Sequence, residues 1–124
     1  MIAVRIAALS GLSLALACPG AAQPAQYVVV LANFSFAPRP IHLAAGRPVV
    51  LTFQNRSGSG HDFTAKEFFA ASRIVSGAAP GGEIELRGGE TKTITLVPAA
   101  GVYRAHCSHF LHAAMGMTDQ IIVN

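Results

Sequence analysis

Charge is scarce in this chain: nine Lys and Arg and six Asp and Glu stand among 124 residues. The basic residues are scattered, which leaves no cationic patch for nucleic acid and no polybasic anchor for a membrane. Cysteine is scarcer still, with Cys18 and Cys107 alone. The apolar run Ile6 to Ala17 is too short for a membrane span and is soon followed by Pro19. Helical patterning is nearly absent beyond that run. Its one candidate, Ala65 to Ser72, allows at most two turns and reads as a surface excursion. Repeats and low-complexity linkers are missing too. At this length, what remains is a single domain.

The N-terminus reads as an export leader covering residues 1–22. Arg5 supplies its one charge, Ile6 to Ala17 its apolar segment, and Gly20-Ala21-Ala22 the small residues a signal peptidase accepts. Cleavage is expected after Ala22. The competing reading takes Leu14-Ala15-Leu16-Ala17-Cys18 as a lipoprotein processing site, with Cys18 the lipid-anchored first residue. Either route makes the mature protein periplasmic or secreted, with no transmembrane span. Cleavage after Ala22 leaves Cys107 without an internal disulfide partner. A lone exported cysteine is a reactive thiol or a metal ligand.

Residues 23–124 read as short strands separated by turn signals. Tyr27 to Leu31, Ile41 to Leu43, Val49 to Gln54, His61 to Thr64, Glu83 to Leu86, Thr91 to Val97, Val102 to Cys107 and Gln120 to Val123 carry β-branched or alternating patterns. Asn33-Phe34-Ser35-Phe36 alternates as well, until Pro38 and Pro40 interrupt it. Glycine, proline and asparagine punctuate the intervals, most densely at Asn55 to Gly60 and Ser76 to Gly82. The expectation is an all-β antiparallel sandwich or barrel with one short helix.

The chemistry concentrates between Tyr103 and Met117. Fifteen residues there hold one thiol, three imidazoles and two thioethers. Cys107, His112 and Met117 follow a Cys-x4-His-x4-Met spacing, which a strand end and a tight loop can fold around one point. His61 opens another strand, just after the glycine-rich turn, and is the candidate fourth ligand. Two imidazoles, a thiolate and a weak axial thioether suit one copper ion that shuttles an electron. Met115 competes with Met117 by spacing alone, since residues two apart in an extended chain point the same way.

This constellation resembles the cupredoxins, and His112-Ala-Ala-Met-Gly-Met117 is especially similar to the end of the pseudoazurin and plastocyanin copper loop. Asn33-Phe34-Ser35-Phe36-Ala37-Pro38 and the Gly46 turn resemble the N-terminal half of small bacterial members. The resemblance implies a Greek-key β-sandwich of seven to eight strands with a type 1 copper site at one end. It selects Met117 over Met115 as the axial ligand. The chain departs from the family pattern at Phe110-Leu111, where proline or Pro-Gly is common, and at Asp62, where asparagine is usual. His106 and His109 have no counterpart.

Other roles are expected for the remaining candidates. His42, His106 and His109 read as solvated or partner-facing histidines, with His106 on the face of its strand opposite Cys107. Glu67 reads as a helix-surface carboxylate, Phe68 and Phe69 as core or lid, and Met115 as rim. The leading function is a non-enzymatic one-electron carrier whose redox partner docks near His112. The alternative is a protein for copper tolerance, storage or delivery, working with copper-trafficking proteins. A Cys-His hydrolase lacks an oxyanion-hole signature, and a zinc site is disfavoured by the thioethers. Side by side, the His61 and Cys107 segments should allow Asp62 to bond the Ser108 hydroxyl or backbone N–H, tying the two loops together.

Overall fold

The computed structural model describes residues 23–124, so the expected leader and the Cys18 alternative lie outside the described residues. Ten strands and one helix follow in order: β1 (Ala25–Ala32), β2 (Ser35–Ala37), β3 (Ile41–Leu43), β4 (Val49–Asn55), β5 (His61–Thr64), α1 (Lys66–Ala71), β6 (Arg73–Ser76), β7 (Glu83–Leu86), β8 (Thr91–Val97), β9 (Gly101–His106) and β10 (Thr118–Val123). They form a Greek-key sandwich of two five-stranded sheets, ordered β2-β1-β4-β8-β6 and β3-β10-β9-β5-β7. The described helix is not long and apolar enough to cross a membrane.

The sheets are mixed rather than purely antiparallel, because β1 pairs with β4, and β3 with β10, in parallel. The connection explains it. Pro38 and Pro40 have no N–H to donate and cannot continue the β1–β2 hairpin ladder. The chain crosses to the other sheet there and lays β3 beside β10. A strand that returns after a crossover can pair in parallel, whereas a tight hairpin cannot. The strand count exceeds the expected seven to eight through short pieces. One of them, β6, is exposed along its whole length and has no buried face to impose an alternation.

Alternation builds the core. In β4 Val49, Leu51, Phe53 and Asn55 are buried and the residues between them are not. Phe63 sits at the centre, with the Phe53 ring 4.9 Å away and the Phe36 ring edge-on at 5.3 Å. Helix α1 has no side-chain N-cap and only six residues, too few to hold a helix alone. Burial of Phe68 and Phe69 holds it, each contributing about 2–3 kcal/mol.

At the end of β4, Asn55 turns inward with 2% exposure. Its Nδ2 donates to the carbonyls of Ser59, Leu86 and Arg87 at 2.8, 3.2 and 3.0 Å. Its Oδ1 accepts from the Ser57 backbone N–H at 3.0 Å and the Ser57 hydroxyl at 2.8 Å. One side chain thereby shapes the whole turn that delivers His61. Asn55→Ala leaves these groups unpaired and should cost about 2–3 kcal/mol. The check is urea unfolding: a lower midpoint at unchanged slope is expected, and an unchanged midpoint refutes the assignment.

Asp119 on β10 is also buried, and its Oδ2 has no hydrogen-bond partner among the described residues. Burial first of all pushes its carboxyl up to about 6, against the opposing pull of the Gln120 N–H and Arg39. The folded pKa therefore lies above the unfolded value of 3.8. The penalty is absent below the lower value and complete above the higher one, so stability falls as pH rises between them. Asp119→Asn should gain roughly 1–3 kcal/mol over the parent above that window and nothing below it. Thermal melts across the window read this directly, and a gain independent of pH would contradict it.

Candidate metal centre

Two loops meet at one end of the sandwich. The turn after β4 delivers His61, and the loop from Cys107 to Met117 joins β9 to β10. The β5–β9 register pairs Thr64 with His106. Continued in the antiparallel sense, it sets Asp62 against Ser108. The longer loop is a tight coil: Met117 N–H donates to His112 O at 3.0 Å, and Cys107 N–H to Met117 O at 3.1 Å. These two bonds hold Cys107, His112 and Met117 around one point. Leu111, just before His112, has φ +64. That left-handed conformation suits glycine and costs a bulky residue about 1–2 kcal/mol.

Three donor atoms converge. His61 Nδ1 and His112 Nδ1 are 3.1 Å apart, and Cys107 Sγ lies 3.4 Å from the His112 nitrogen and 3.9 Å from that of His61. His61 and Cys107 are buried, and His112 is half-buried. Met117 is fully buried in the same core cluster as Cys107. Met115 instead is exposed, as are Phe110 and Leu111 in the same loop on either side of His112 in sequence.

Hydrogen bonds orient the ligand candidates from outside. His61 Nε2–H donates to Asn33 Oδ1 at 3.2 Å, and a carbonyl oxygen only accepts, so in the neutral ring Nδ1 keeps its lone pair. Burial lowers the His61 pKa, followed by the nearby His112 and His109, which keeps the ring neutral. His112 Nδ1 stands 3.1 Å from that lone pair, a gap that calls for a proton or a metal ion between the two nitrogens. Cys107 Sγ accepts the Asp62 backbone N–H at 3.4 Å. Burial pushes the thiol up, while the backbone N–H groups of Asp62 and His109 pull it back in part. With imidazole nitrogens, a thiol and a neighbouring thioether, this donor set suits a soft or borderline metal such as copper.

Asp62 is completely buried and binds the two loops. Its Oδ1 accepts the Ser108 N–H and the Thr64 hydroxyl, each at 2.8 Å, and its Oδ2 accepts the Ser108 hydroxyl. The expected tie is present, by both the backbone and the hydroxyl. His106 is exposed, as strand alternation requires. His109 differs from the free surface histidine that was expected. Its Nε2 contacts the Glu85 carboxylate at 2.9 and 3.1 Å, and its ring stacks on His112 with centroids 5.3 Å apart. Glu83, next to this group, is held above the ordinary carboxylate range by burial and then by Asp62 and Glu85.

A family model described as a cupredoxin-like domain matches residues 3–123. The chain belongs to the cupredoxin-like family. Solved structures with this fold include an auracyanin from the photosynthetic bacterium Roseiflexus castenholzii, 20% identical, with TM-score 0.62 over 83% of this chain and 99% of that one. Auracyanin A, a "blue" copper protein from Chloroflexus aurantiacus, is 19% identical, with TM-score 0.61 over 82% and 100%. A Campylobacter jejuni multicopper oxidase is 13% identical, with TM-score 0.62; this cupredoxin-like chain matches only 31% of it. No curated sequence matches.

Two neighbours of the cluster escaped the sequence reading as site residues. Asn33 orients His61, and Phe34, at φ +60, presents its ring edge-on to His112 at 5.2 Å. Their segment showed only an alternation and a family likeness. Nothing local marks a residue that acts by reaching the far end of another strand.

The Cys107 thiol is 1% exposed and its pKa is raised, both of which suppress alkylation. In metal-free protein at neutral pH, iodoacetamide should react at least about a hundredfold more slowly than with a cysteine peptide. In urea the rates should converge. Rapid labelling of the native chain would contradict the burial.

Proposed function

We propose that this cupredoxin-like protein is an exported one-electron carrier in which His61, Cys107 and His112 would hold one copper ion, with Met117 as a weak fourth donor. The observation that carries the reading is the convergence of two imidazole nitrogens on a buried thiol. When bound, copper supplies a Cu(II)/Cu(I) couple in a mixed sulfur and nitrogen environment between the preferences of the two states. The chain's own residues do the rest. Asn33 fixes the His61 ring, the Asp62 N–H tempers charge on the sulfur, and the Asp62–Ser108 bonds keep the loops from separating.

His112 is the exit for the electron. It is the half-buried member of the cluster, and exposed Phe110, Leu111 and Met115 give a redox partner an apolar surface at that place. Burial of the thiol and Met117 argues against an enzyme, which needs a position open to substrate. The alternative of copper storage or delivery is favoured by one observation, the exposed thioether of Met115 beside the site. His109 adds nothing to that case, since its ring is held by Glu85. Residues 1–22 are proposed to direct export and residues 23–124 to form the carrier.

Addition of Cu(II) to the purified protein should give an intense blue charge-transfer band. Cys107→Ser should stay folded and colourless, because a hydroxyl does not replace a thiolate and the apolar core does not depend on the metal. Met117→Gln should shift the band and lower the reduction potential, since an oxygen donor favours Cu(II). Met115→Gln should keep the spectrum and slow exchange with a partner. Colourless parent protein that binds zinc instead would overturn the carrier reading, and exchanged behaviour of the two methionine variants would overturn the axial assignment.

A further inference from the structure

The outward face of β9 and β10 carries a feature that the metal centre does not use. A hollow of about 700 Å³ lies there, walled by Arg39, Arg104 and His106 and bordered by Ala113 and Thr118. Alternation along β9 creates it: Arg104 and His106 point outward because Ala105 and Cys107 point inward. The hollow thus shares backbone with the proposed ligands. His106 precedes Cys107, Ala113 follows His112, and Thr118 follows Met117. Arg39 reaches it from the connector that carries the chain between sheets, where a proline on its C-terminal side and another on its N-terminal side restrict the backbone.

Among the described residues, neither guanidinium takes part in an ion pair or a side-chain hydrogen bond; the ion pairs present belong to Lys92 and His109. Asp119 also borders the hollow and feels the charge of Arg39, but its free oxygen is covered and two guanidiniums outnumber one carboxylate, so the surface offered to a visitor is cationic on balance. The contrast across the β9 ridge is informative. A second hollow of about 470 Å³ shares Arg104 and His106 but adds Glu67 and Glu83 to Lys66, which leaves it mixed in sign. Only the first selects for charge.

We propose that the Arg39–Arg104–His106 hollow is a docking site for carboxylate side chains on an acidic partner protein; this rests on the carrier reading and adds the chemistry of the partner. A guanidinium presents a planar fork that matches a carboxylate, and two unpaired ones at a concave surface fit side chains projecting from a protein. Two arginines without a basic stripe are too few to track a nucleic-acid backbone. The apolar rim at Phe110, Leu111 and Met115 supplies contact area beside His112, while the cationic hollow sets orientation and speeds encounter.

Hexaglutamate peptide is a direct probe, titrated into isotope-labelled full chain without added metal and followed by amide resonances. The expected shifts cluster at Arg104, His106, Ala113 and Thr118 and fade with salt. The double variant Arg39→Gln/Arg104→Gln should weaken binding about tenfold. Arg47→Gln/Arg73→Gln removes the same charge from exposed positions elsewhere and should stay within about twofold of the parent. Absent or scattered shifts, or equal weakening in both double variants, would overturn the proposal. The copper spectrum is recorded on the same preparations. A chain that takes up no copper yet shows the clustered shifts refutes the carrier and keeps the acidic-ligand site; a blue chain without them refutes only the docking site.

Discussion

A carboxylate with no solvent exposure must find every hydrogen bond inside the protein, and Asp62 finds all of its own at the junction of two loops. It takes two bonds from Ser108 and one from Thr64, while its backbone N–H points at the Cys107 sulfur. The cost of leaving a buried charge unpaired makes this junction stiff. Separation of the loops would strand the carboxylate before it moved the thiol. The relative placement of His61 and Cys107 therefore follows from satisfying Asp62.

The rest of the architecture serves the same end by other means. Asn55 shapes the turn before His61, Asn33 holds that ring from behind, and Phe34 stands edge-on against His112. Leu111 accepts an unfavourable backbone conformation so that the loop can close within five residues of the cysteine. The sandwich core continues right up to the cluster, with Cys107 and Met117 counted in it. One consequence is chemical: an apolar setting raises the thiol pKa, so a metal has to displace a firmly held proton. Another is mechanical, since a site packed against a dense core resists a change of shape.

The cationic hollow belongs to the same strand that ends in the thiol. A period of two sends Cys107 into the core and Arg104 and His106 to the outside, so one short strand serves the cluster of candidate donors on one face and the solvent on the other. That economy places a charge-selective surface near the proposed electron exit without any added loop.

Much of this was legible in the primary structure, for physical reasons that differ by element. Buried alternation made β4, β8 and β9 readable, because each carries one apolar face. The strand β6 was not, since no face of it is buried, and the parallel pairings were not, since direction is decided by a crossover rather than by composition. The ligand candidates Cys107, His112 and Met117 were legible through spacing within one loop, and His61 through its place after a glycine-rich turn. Asn33, Phe34 and the engagement of His109 by Glu85 were not, because they arise between segments 24 or more residues apart. Local sequence determined which donors exist, which strands have an inside, and that the donors are soft. Tertiary structure alone decided that two imidazole nitrogens and a thiol share one buried point, because only the closed sandwich brings the β4–β5 turn against the β9–β10 loop.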